Sequence, residues 1–63
     1  MKLTKPEIRL AAEAIAVTAW ERGASPDGVA EAVDRAFKRD GRRERALAQS
    51  YAAAALQTWE AVQ

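Results

Sequence analysis

Residues 37–50, FKRDGRRERALAQS, concentrate the side chains of this chain best suited to chemistry. Between positions 35 and 45 stand six cations, Arg35, Lys38, Arg39, Arg42, Arg43 and Arg45, against two carboxylates, Asp40 and Glu44. Helical spacing puts Arg42, Arg45 and Gln49 on one face, at i, i+3 and i+7. Guanidinium groups bind carboxylates and phosphates through paired N–H donors, and Arg and Gln also read base edges in nucleic acids. Arg39 and Arg43 flank that face as further anion partners. The cations that follow Gly41 are unusual, because the first turn of a helix favours negative charge. A local rule broken without visible compensation often marks function.

Catalysis is not expected. The chain has no His and no Cys, which removes the usual general base, the thiol nucleophile and the commonest ligands for transition metals. No Gly-rich phosphate loop, catalytic triad or calcium-loop spacing is present. No cofactor, metal or small-molecule substrate is therefore expected. The chemistry left is recognition, with Trp20 and Trp59 as candidate aromatic anchors beside the arginines.

Three helices must position these groups. The first is predicted from TKPE to Arg22. Thr4 serves as N-cap, Glu7 completes a capping box, Pro6 fits the first turn and Gly23 ends the helix. The second starts at SPDG, with Ser25 as N-cap, Pro26 at N1 and Asp27 in the first turn. It is predicted to run to about Arg39, where Asp40-Gly41 breaks it. The third covers about residues 42–62. No stretch alternates as a strand does. The fold class is all-α: a single domain over residues 1–63, a compact three-helix protomer described as a helical hairpin plus a short amphipathic helix.

The apolar faces differ among the helices. The second is one-sided: Val29, Val33, Ala36 and Phe37 oppose Glu31, Asp34, Arg35 and Lys38. Glu31–Arg35 and Asp34–Lys38 are spaced for i,i+4 ion pairs. The first is apolar on two sides, Ile8, Ala12, Ile15 and Ala19 on one and Leu10, Ala14 and Val17 on the other. The third carries a broad arc with Leu47, Tyr51, Ala55, Thr58 and Val62 on one flank and Ala48, Ala52, Leu56 and Trp59 on the other. A helix with two apolar sides needs two partners. A chain of 63 residues usually adds a disulfide, a metal or a second subunit. These points predict a homodimer with Ile8, Leu10, Ile15, Val17, Tyr51 and Leu56 at its interface.

Two partners suit the basic corner. The second helix, a Gly-containing turn and the third helix resemble a helix-turn-helix in outline, so nucleic acid is one candidate. The net charge of only +1 and the rapid loss of polarity along the third helix favour a larger protein instead. The expected role is a non-enzymatic binding module: an adaptor, regulator or inhibitor, of the size and type common among accessory proteins of phages and mobile elements. No apolar run approaches a membrane span, and charges interrupt the N-terminal MKLTKPEIRL where a signal peptide needs an apolar core. No membrane partner and a cytoplasmic location are expected.

Overall fold

Thr4 begins the first helix as predicted. The computed structural model describes residues 3–62, the last three by backbone alone. Helix α1 spans Lys5–Glu21. The Glu7 N–H donates to Thr4 Oγ1 (3.4 Å), and the Thr4 N–H donates to Glu7 Oε1 (2.8 Å), which closes the capping box. At the other end Gly23 takes φ 88°, a left-handed conformation that side-chain-bearing residues rarely adopt. The Gly23 N–H donates to Trp20 O and the Ala24 N–H to Ala19 O, the two bonds of a Schellman motif.

The capping box makes α1 sensitive to acid. The hydrogen bond from the Thr4 backbone, then that from its hydroxyl, holds the Glu7 carboxyl below the ordinary glutamate value. Its contribution to stability is present above the unfolded-state pKa and is lost as pH falls through the lower, folded-state value. Glu7→Gln should therefore shrink the drop in melting temperature on acidification through the carboxylate range. Circular dichroism melts of both proteins at neutral and acid pH measure it; equal drops would assign the acid sensitivity elsewhere. Thr4→Ala should cost about 1 kcal/mol.

Helix α2 spans Pro26–Ala36, with the Gly28 N–H donating to Ser25 Oγ at 3.1 Å. It ends three residues before the predicted Arg39. Phe37 is the C-cap and is 3% exposed, so its ring is fixed in the core while the backbone turns away. Residues 37–40 then form turn and bend, closed by the Asp40 N–H donating to Phe37 O at 3.0 Å. Lys38 and Arg39 consequently sit in the connection and not in a last helical turn.

Helix α3 spans Arg42–Val62. Gly41 precedes it, and its carbonyl accepts from the Arg45 N–H at 3.0 Å. Glu44 Oε2 lies 2.6 Å from where a Cβ on residue 41 would stand. Glycine therefore leaves room for the Glu44 carboxylate to fold back over the helix start, where the exposed N–H groups favour a negative charge.

The core contains Ile8, Ala12 and Ala16 of α1, Val29 and Val33 of α2, Phe37, and Ala48, Ala52 and Ala55 of α3. α1 and α3 share the most extensive helix–helix contact, and both contribute alanines to the core. The larger Ile15, Trp20, Leu47, Tyr51 and Leu56 pack around this centre and are only partly covered. No polar side chain is buried among the described residues.

Several predicted faces shift. On α1 the buried line is Ile8, Ala12 and Ala16, while Ile15 and Ala19 are half-buried. Ala36 is exposed, because the chain leaves the helix at that point. Thr58 faces solvent and donates to Ala54 O at 3.1 Å. Val62 lies beyond the residues whose side chains are described.

Candidate functional site

The basic corner is built by the connection between α2 and α3. Phe37 anchors its start and Gly41 its end. Lys38, Arg39, Arg42 and Arg43 are all exposed on it. None of the four has a carboxylate partner; the ion pairs among the described residues are Arg9–Glu13 and Arg45–Asp34. The predicted Asp34–Lys38 pair does not form, because Lys38 lies past the end of α2 and Asp34 faces α3 instead. Glu31–Arg35 does not form either, although both residues are helical.

Arg45 and Gln49 point away from this exposed group. Arg45 Nη2 donates to Asp34 Oδ1 at 2.9 Å. One turn further along α3, Gln49 Nε2 donates to the Ala30 carbonyl at 2.8 Å, in a partly buried position. Asp34 and Ala30 are likewise one turn apart on α2. The two bonds therefore form a ladder between antiparallel helices. The Arg45 pair is about half exposed, at 41% and 53%, so it contributes under about 1 kcal/mol. The part-buried Gln49 bond contributes about 1 kcal/mol. This ladder accounts for one cation in the first turn of α3: Arg45 answers the carboxylate of Asp34.

The predicted face of Arg42, Arg45 and Gln49 is thus divided. Arg42 is free, while the other two hold α3 against α2. A shallow recess lined by Asp34, Arg42, Arg45, Ala46 and Gln49 marks the join. The contact residues left open are Arg39, Arg42 and Arg43. Trp20 is half-buried against the core, and Trp59 is half-buried near the far end of α3.

The predicted interface residues also separate. Ile8 is enclosed by its own chain, at 1% exposed. Ile15, Tyr51 and Leu56 pack at the margin of the core, and Val17 is half-buried. Leu10 stands out of the surface, 67% exposed.

The sequence reading missed a second concavity. Between α1 and α2 runs an open groove of about 470 Å³, walled by Ala14 and Ala19 on one side and Gly28 and Ala32 on the other. Arg22 and Arg35 stand at its rim. A signal for it was present: Ala14 and Thr18, and Gly28 and Ala32, are small residues spaced by one helical turn on each helix.

The described residues contain no group of acidic side chains able to hold a metal ion, and none of their helices is long and apolar enough to cross a membrane. The fold and site together define a small three-helix all-α domain with a basic interhelical corner. Comparison with family models, with curated proteins and with solved structures finds no match to this chain.

Proposed function

We propose that this chain is a non-catalytic protein-binding module whose basic corner docks on an acidic surface of a larger protein. One observation carries the reading: Arg39, Arg42 and Arg43 are exposed without carboxylate partners, although Arg45 in the same run is paired. The bonds of Arg45 and Gln49 to α2 hold the two helices that frame the corner, so the free guanidiniums are presented from a braced scaffold. Such preorganisation limits the ordering cost of binding. Adaptor, regulator and inhibitor roles all fit this surface. The engagement of Arg45 and Gln49 leaves the nucleic-acid reading without two of its three candidate base readers.

Arg42→Glu/Arg43→Glu tests the proposal, since neither side chain supports the fold. Tagged wild type and variant are compared in pull-downs from nuclease-treated lysate, with circular dichroism on both. The variant should keep its helix content and lose its partner by more than tenfold, as reversal of contact charges does. Equal retention by both proteins rejects the corner as the contact surface. Retention that disappears with nuclease treatment alone transfers the role to nucleic acid.

A further inference from the structure

We infer that Asp40 is a site of self-modification: its carboxyl closes on the Gly41 amide and the ring reopens to isoaspartate, while the other Asp-Gly pair of the chain, Asp27-Gly28, is protected by α2. The inference does not depend on the binding role of the basic corner.

The two Asp-Gly pairs carry the same local chemistry. Glycine has no Cβ to obstruct the approach of its amide nitrogen to the aspartyl side chain. In the reaction that nitrogen attacks the aspartyl Cγ. A C–N bond forms, the bond from Cγ to the carboxyl hydroxyl breaks, and the amide proton and the hydroxyl leave as water. Water then opens the succinimide ring. Opening at the Cγ carbonyl restores aspartate. Opening at the backbone carbonyl routes the main chain through Cβ and Cγ, as isoaspartate. The net change is an isomerisation that needs only water and lengthens the backbone by one carbon.

Ring closure requires a free glycine amide and a backbone able to bring it to Cγ. The two pairs differ in both respects. Asp27 and Gly28 lie within α2, directly after Pro26, and the Gly28 N–H donates to Ser25 Oγ at 3.1 Å. Helical backbone and N-cap must open together before that ring can close. Asp40 and Gly41 lie outside any helix, in the connection between Phe37 and α3. Gly41 is exposed, and its N–H donates to no group among the described residues. The adjoining bonds, Asp40 N–H to Phe37 O and Arg45 N–H to Gly41 O, engage neither the Gly41 nitrogen nor the Asp40 carboxyl. Neither ion pair among the described residues includes Asp40.

The test ages the intact chain in neutral buffer, folded and in urea. Each sample is then digested with an endoprotease that cuts before aspartate and not before isoaspartate. Asp34, followed by Arg35, supplies the reference cut. In the folded protein the cut before Asp40 should be lost about tenfold or more faster than the cut before Asp27, a ratio that about 1.4 kcal/mol of opening cost at α2 produces. The uncut peptide should keep its mass, as an isomer does. In urea the two cuts should be lost at similar rates. Ser25→Ala removes the acceptor of the Gly28 N–H and should speed the loss at Asp27 a few-fold, with Asp40 unchanged. A folded chain that keeps its cut before Asp40 overturns the inference, and so does equal loss at both pairs in the folded chain. An Asp27 that stays intact in urea overturns protection by α2.

Discussion

Phe37→Ala should abolish cooperative unfolding. The ring is 3% exposed and sits where α2 ends, against core residues of all three helices. Truncating a buried Phe to Ala costs about 3–5 kcal/mol. A domain of this length has a total stability of roughly 3–9 kcal/mol, at 0.05–0.15 kcal/mol per residue. The loss is therefore a large fraction of the whole. The site also cannot collapse easily, because the residues beside it are largely alanines and valines held on helices. Thermal and urea melts followed by far-ultraviolet circular dichroism should show a broad, low-temperature transition. Phe37→Leu keeps most of the volume and should lose less than about 1.5 kcal/mol. A sharp, wild-type-like melt for Phe37→Ala would remove Phe37 from the core.

Ala48→Leu should be nearly as damaging, for the opposite reason. Ala48, on α3, is 0% exposed within the core cluster that all three helices share. Three added carbon atoms have no cavity to enter, so the helices must separate. Overpacking of this kind typically costs about 1–3 kcal/mol. Ala53→Leu, on the exposed side of the same helix, is the control. Leucine is almost as good a helix former as alanine, so this change should alter stability by a few tenths of a kcal/mol. The pair separates two reasons for alanine in this chain. If alanine served only as a helix former, both substitutions would be tolerated. If Ala48 is a spacer, only Ala53→Leu is. Urea midpoints for the two variants decide between them.

The helices themselves were readable because their signals are local. Thr4 with Glu7, Ser25 with Pro26, and Gly23 act within a few residues of where they stand, and each lies at the end it predicts. The polarity of α2 was readable for the same reason, since a one-sided helix repeats its pattern every turn. Arginine in the basic run was recognisable by type. The division of labour among those arginines was not.

The amino-acid sequence by itself determined three helices, their starts, the exposed back of α2 and the absence of His and Cys chemistry. Each follows from the chemistry of a residue or from contacts within one helical turn. Tertiary structure decided the rest. It set the end of α2 at Ala36, where the C-cap Phe37 is buried in the core shared by the three helices. It selected the Ile8, Ala12 and Ala16 line of α1 for the core and left Leu10 outside, because α2 and α3 both pack on α1 and share one core with that line. It joined Arg45 to Asp34 and Gln49 to Ala30, leaving Arg39, Arg42 and Arg43 free. Those partners are 11 and 19 residues apart in the chain. Only the antiparallel return of α3 across the 37–41 connection brings them within hydrogen-bonding distance, and no periodicity along a single helix carries that information.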